Sequence, residues 1–301
     1  MASSSQVASG MSPLILHSLG RSGSSIVLAA LAQHPQIVGA RPFGHEVRLV
    51  AYWSQRCLEA RPEKTEEAER IIPLIRAMKP LPGYLPVDTV ADVLDAAARE
   101  RIQATAQEAT RTTARAVLAS FYGEIAAKQG KQARFFIEKS PLPSDTLPEA
   151  EALYPGIRHI HLLRDPRAVF ASILRYDAKR GIDGFGQEPG EAPADFARRW
   201  VKRATRAARK AMETKGRDPI VRFEDLMKDP AAALSKVLGE IGLPTPAPDA
   251  GRLWTEGGKW SYEAHKTGTH DKGWSGDDVP EAAIRVIERD AMPYYRPFGY
   301  A

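Results

Sequence analysis

The chain has 301 residues, 43% hydrophobic and 26% charged, the balance of a globular protein with a real core, which excludes a disordered chain. Its 42 basic and 37 acidic residues leave a net charge of +5, an excess that suits a small anionic ligand better than a long nucleic acid. Cys57 is the single cysteine, which excludes an intrachain disulfide and a thiolate metal cluster and points to a reducing, cytoplasmic setting, and no apolar run approaches the roughly 20 residues of a membrane span.

Residues 1–12 begin Met1-Ala2-Ser3-Ser4-Ser5, with no basic segment ahead of an apolar one, and are expected to form a flexible tail. Residues 13–301 read as one domain. Leu14-Ile15-Leu16 is a short strand ending at a Gly/Ser cluster, Gly20 to Ser25, and Ile26 to Leu31 is helix material that stops at His34-Pro35. A charged stretch runs from Glu46 through Arg61-Pro62-Glu63, followed by a turn at Pro80-Leu81-Pro82-Gly83. Asp88 then serves as an N-cap for an Ala-rich helical region reaching Gln129, so that residues 50–130 or so form a helical insertion or lid.

Arg134 to Glu138 reads as a second strand closed by Ser140-Pro141. Ile157 to Leu163 is a third, closed by Asp165-Pro166 with the proline suited to a helix's first turn, and Ile220 to Phe223 is a fourth. Strands separated by helical segments predict a three-layer α/β/α fold around a central parallel sheet. Ligands of such sheets bind beyond the C-terminal ends of the strands. Each predicted strand is followed there by charged or small polar residues, namely Gly20-Arg21-Ser22, Glu138-Lys139-Ser140, Arg164-Asp165 and Glu224-Asp225, which are expected to converge on one edge.

The loop Arg21-Ser22-Gly23-Ser24-Ser25, delivered by a strand onto a helix N-terminus, aims backbone N–H groups, hydroxyls and the positive dipole end at one spot, an arrangement that holds an anion. It is P-loop-like without being a Walker A motif, because its cation precedes the small residues and Gly-x-x-x-x-Gly-Lys-Ser/Thr occurs nowhere in the chain. Taken alone, it reads more readily as a helix cap with an incidental arginine.

Four ordered blocks resemble the sulfotransferases that use 3′-phosphoadenosine 5′-phosphosulfate (PAPS): the Arg-Ser-Gly-Ser loop with His34-Pro35 after its helix; Leu163-Arg164-Asp165-Pro166 running to Ser172; Glu138-Lys139-Ser140-Pro141; and Val221-Arg222-Phe223-Glu224-Asp225-Leu226 with Asp229-Pro230 and Gly242-Leu243-Pro244. The resemblance implies transfer of a sulfuryl group to a hydroxyl or amine acceptor, small or carrier-bound, with no metal, no nucleic acid and no membrane partner. It implies that Arg21, Ser22, Gly23, Ser24 and Ser25 cradle the phosphosulfate and that Arg164 and Ser172, eight positions apart, bind the 3′-phosphate. Phe223 stands where relatives usually carry tyrosine and would stack on adenine. Lys272, in Gly268-Thr269-His270-Asp271-Lys272-Gly273-Trp274, loosely echoes a C-terminal loop of cytosolic relatives.

For the chemistry, Arg21 is expected to neutralise charge on the leaving phosphate. Lys139 is either a second cation beside the sulfuryl group or a salt-bridge partner of Glu138. Glu46, placed as in glycan- and tyrosine-sulfating relatives, and its neighbour His45 are the two candidates for the general base, with Glu46 preferred. His159 and His161 lie on one side of a strand with no third ligand at metal spacing and read as packing residues. The basic run from Arg198 to Lys210 reads mainly as a solvated helix face, with docking of an acidic partner as the other possibility. Two further readings stay open: a nucleotide-dependent small-molecule kinase, and a PAP- or PAPS-binding protein without catalysis.

Overall fold

The computed structural model describes residues 10–40, 48–60, 96–139, 146–181, 185–243 and 279–301. They divide into two compact units: Met1–Arg48 with Phe121–Pro141 and Gly156–Ala301, and Leu49–Ser120 with Leu142–Pro155.

The first unit is built on five parallel strands, β1 (Ser12–Ser18), β2 (Ile37–Val38), β3 (Phe135–Lys139), β4 (Arg158–Leu163) and β5 (Ile220–Arg222), in the order β2-β3-β1-β4-β5. Leu14 pairs with Ile137 on one side and Arg158 on the other, so β1 is the central strand. Its run from Pro13 to His17 is buried throughout, as a parallel strand covered on both faces requires. Leu14, Leu16, Ile160 and Leu162 face a layer formed by α1 (Ser24–Leu31), α7 (Phe223–Lys228) and α8 (Pro230–Glu240). Leu163 joins the other layer, made by α5 (Pro166–Arg180), α6 (Pro193–Glu213) and α9 (Glu281–Asp290), with α10 (Met292–Tyr295) and the 3-10 turn Arg296–Phe298 completing the C-terminal segment.

Local sequence accounts for the helix starts. Asp165 caps α5 by accepting from the Arg167 N–H at 2.8 Å, Asp229 caps α8 by accepting from the Ala232 N–H at 3.0 Å, and each is followed by a proline at the first helical position. Helix α6 buries Phe196, Trp200, Val201, Ala204, Ala208 and Ala211 and turns its basic side chains outward. Several of these are engaged locally: Arg198 with Asp195, Arg199 with Glu191, and Arg209 over the Tyr294 ring.

A second set of polar groups is buried between the strands and α6. His17 Nε2 and His159 Nδ1 lie 2.9 Å apart, His17 stacks on His161 with centroids 4.8 Å apart, and His161 Nε2 meets the Thr214 hydroxyl at 3.0 Å. Burial drives the His159 ring down to about 4 and holds His17 well below the usual imidazole range.

The second unit contains α2 (Leu49–Glu59), the part of α3 (Ala96–Lys128) up to Ser120, and α4 (Leu147–Leu153). Arg111 forms a 2.8 Å ion pair with the buried Glu149, Arg115 donates to the Leu153 carbonyl at 2.9 Å, and Gln107 donates to the Cys57 carbonyl at 3.3 Å. Cys57 is fully buried and burial pushes its thiol up, leaving it a packing residue. Helix α2 falls where the sequence reads only as a charged stretch, because its buried positions Val50, Ser54 and Cys57 make too thin an apolar stripe to stand out. No helix among the described residues is long and apolar enough to cross a membrane.

Candidate active site

In the order β2-β3-β1-β4-β5, the connection leaving β1 runs to one side of the sheet and the connection leaving β4 to the other. The crevice between their C-terminal ends is the switch point at which open α/β sheets bind ligands. Arg21 to Ser25 follows β1 and Arg164 follows β4, so both predicted anion-binding segments open onto it.

The loop is wound tightly. Arg21 and Gly23 have φ values of 67° and 90°, in the left-handed region. The Ser22 hydroxyl donates to the Leu19 carbonyl at 2.7 Å, so this side chain closes the turn instead of facing outward. Gly23 is required twice over: its φ favours glycine, and a Cβ there would fall 2.2 Å from the Phe223 ring. Helix α1 then begins at Ser24 with no side-chain cap, and its first N–H groups are left for solvent or a ligand.

Two guanidinium groups meet beside this helix end. Arg164, 7% exposed, donates to the Arg21 carbonyl at 3.1 Å and lies over the Phe223 ring, 4.6 Å from its centroid. Arg21 reaches to α5, where its Nε donates to the Ser172 hydroxyl at 3.4 Å and its guanidinium lies over Tyr176, 4.5 Å from the ring centroid. Burial lowers the proton affinity of both arginines, and each feels the repulsion of Arg175 as well. An arginine does not discharge in response. Of the carboxylates nearby, Glu224 accepts from the Asp165 N–H at 2.9 Å and the Tyr300 hydroxyl at 2.8 Å, and Asp165 pairs with Arg167 at 2.8 Å, while Asp177 attracts Arg21 and Glu224 attracts Arg164. A buried and a partly buried guanidinium beside an uncapped helix N-terminus make a place suited to an anion.

Of the residues predicted from sequence, Arg21, Ser22, Gly23, Ser24, Ser25, Arg164, Ser172 and Phe223 thus gather around the ends of β1, β4 and β5. Phe223 opens α7 instead of ending β5, and at 2% exposure its ring supports Gly23 and Arg164. Lys139 ends β3, in register with Leu16 of the adjacent β1. Strand alternation sends it to the face opposite Glu138, which is buried and accepts from the Tyr122 hydroxyl at 2.6 Å. His45, Glu46 and Lys272 lie outside the described residues. The sequence reading passed over Tyr176 and Phe185, although Tyr176 stands one helical turn beyond Ser172 and so shares its face of α5.

A cationic cluster over a helix N-terminus at the switch point of a parallel sheet places the chain in a class of α/β proteins with a central parallel sheet and a basic crevice at its strand ends. The chain belongs to the sulfotransferase family, whose sequence model matches residues 13–247. Among solved structures it is similar to the Sulfotransferase Domain from the Curacin Biosynthetic Pathway, with a TM-score of 0.47 and 18% identity over 93% of this chain and 97% of that one. It is likewise similar to the Sulfotransferase Domain from the Synechococcus PCC 7002 Olefin Synthase, with a TM-score of 0.47 and 19% identity over 97% of each chain.

Proposed function

We propose that the protein transfers the sulfuryl group of PAPS to a hydroxyl or amine acceptor. The observation that carries this reading is the pair of arginines, Arg21 partly buried and Arg164 buried, held at an uncapped helix N-terminus with Ser172 in reach. A donor with a 3′-phosphate and a 5′-phosphosulfate brings two anionic ends, which suits a site with more than one cation. In this assignment Arg164 and Ser172 take the 3′-phosphate. The N–H groups at the start of α1, the hydroxyls of Ser24 and Ser25 and the Arg21 guanidinium take the phosphosulfate. Phe223 supports the loop and borders the adenine.

The acceptor's oxygen or nitrogen attacks sulfur as the S–O bond to the 5′-phosphate breaks, and the electron pair leaves on PAP. Cations already in place stabilise that leaving charge without reorganising. Lys139 adds a further cation on the β3 side of the cleft. The acceptor proton passes to a base, for which Glu46 and the adjacent His45 are the candidates, and α2 and α3 are assigned to acceptor selection.

Calorimetry with PAP and transfer from [35S]PAPS to a panel of sugar, lipid, peptide and carrier-bound acceptors test the reading. One PAP per chain with label transfer is expected. Absence of both sinks it, while PAP binding without transfer to any acceptor favours a binding protein that has lost catalysis.

A further inference from the structure

Among the described residues, two that are not glycine have a left-handed backbone: Arg21 at φ 67° and Phe185 at φ 54°. Such conformations are strained for residues with a side chain and persist where the surroundings enforce them. Both residues bring their side chains to Tyr176. The Arg21 guanidinium lies over one part of the ring system, 4.5 Å from the centroid, and Phe185 meets Tyr176 edge-on, with centroids 5.7 Å apart at 76°.

Phe185 is itself held from two directions. Its ring occupies the space of a side chain at Gly20, where a Cβ would fall 2.5 Å from Phe185 Cε1. Its carbonyl accepts from Arg203 Nη1 of α6 at 2.7 Å, and Gly186, at φ 87°, lets that guanidinium pack against the backbone. A continuous set of contacts therefore runs from α6 through Phe185 to Tyr176 and Arg21. Ser172 and Tyr176, four residues apart on α5, give the Arg21 side chain a hydroxyl and a ring on one helix face.

We propose that Tyr176, buttressed by Phe185, is a positioning residue that fixes the Arg21 guanidinium at the donor loop, acting through its ring. This rests on the PAPS reading for its effect on donor binding but not for its effect on Arg21 itself. A long arginine side chain without such a platform samples many rotamers, and ordering it on donor arrival costs entropy. A tyrosine face supplies both contact area and a favourable quadrupole.

A double-mutant cycle on PAP affinity, read by calorimetry, tests the proposal. Tyr176→Leu is expected to weaken PAP binding roughly 3- to 30-fold, the range of a desolvated cation–π contact. Tyr176→Phe stays within about twofold because the ring is kept, and Phe185→Leu falls between the two. In an Arg21→Ala background, Tyr176→Leu should cost nothing further, since its effect passes through Arg21. A second readout needs no ligand. The Arg21 Nε–H resonance, assigned by its loss in Arg21→Lys, is expected at a ring-current-shifted position in the free wild type and in Tyr176→Phe, and without that shift in Tyr176→Leu. Additive losses in the cycle, or an Arg21 resonance indifferent to Tyr176→Leu, would overturn the proposal. If the wild type fails to bind PAP while the resonance follows Tyr176, the donor reading falls and the positioning role stands.

Discussion

Two groups of basic side chains lie on β1, β4 and the loops that leave them, and they meet burial in opposite ways. His17, His159 and His161 sit within the sheet under α6, touching each other and Thr214. Arg21 and Arg164 sit just beyond the strand ends, stacked on Tyr176 and Phe223. Desolvation penalises charge in both places. An imidazole answers by giving up its proton, and His17 and His159 become neutral packing groups. A guanidinium has no such escape, so the arginine cluster keeps its charge. The difference teaches that residual charge, more than burial of polar atoms, separates the site from the scaffold on this sheet.

That contrast is open to breaking, first from the histidine side. Because His159 titrates near 4 when folded and near 6.5 when unfolded, only the unfolded chain takes up its proton between those values. The stabilisation is thus fully present above pH 6.5 and is lost as pH falls towards 4, at about 1.4 kcal/mol per pH unit for each such histidine. The groups around His159 are His17, His161, Lys210, Arg217 and Asp218, and only Asp218 favours its protonation. Urea unfolding at pH 7.0, 5.5 and 4.5 should show that decline, shallower in His159→Gln; equal stability across the series would mean that His159 is not held neutral.

On the arginine side, Arg164→Ala is expected to weaken PAP binding on the order of 100-fold, the equivalent of about 2.7 kcal/mol, as fits the loss of charge-assisted bonds to a phosphate. Thermal unfolding of the free protein should shift by far less than binding does, because removing one of two like charges offsets the lost packing on Phe223. A large drop in melting temperature with unchanged PAP affinity would make Arg164 a scaffold residue and erase the distinction. The smallest effect sharpens the histidine side: Thr214→Val leaves His161 Nε2 without its hydroxyl partner and should cost about 1 kcal/mol of stability while leaving PAP affinity unchanged.

Much of this architecture could be read before folding. The strands β1, β3, β4 and β5 announce themselves as apolar runs that stop at charged or small residues, and Asp165-Pro166 marks the start of α5 through cap chemistry alone. Strand β2, at two residues, is too short for any periodic signal, and α2 hides its buried positions among polar ones. Within the site, Arg21 and Arg164 were legible because their positions after strands are fixed by the topology. Tyr176 and Phe185 were not, because their importance depends on where the Arg21 side chain turns, and that follows from a left-handed backbone which an arginine's identity does not predict.

The central place of β1 has a kinetic consequence. Its partners are remote in the chain: Leu14 pairs with Ile137 and with Arg158, and no strand nearby in sequence flanks it. Closing such distant pairs is entropically slow, and parallel pairing of this kind delays folding. β1 is made before β3 and β4 and waits for both, so the loop that follows it takes its shape only once they have been made. Until then an apolar strand stands exposed, a surface prone to aggregation in the growing chain.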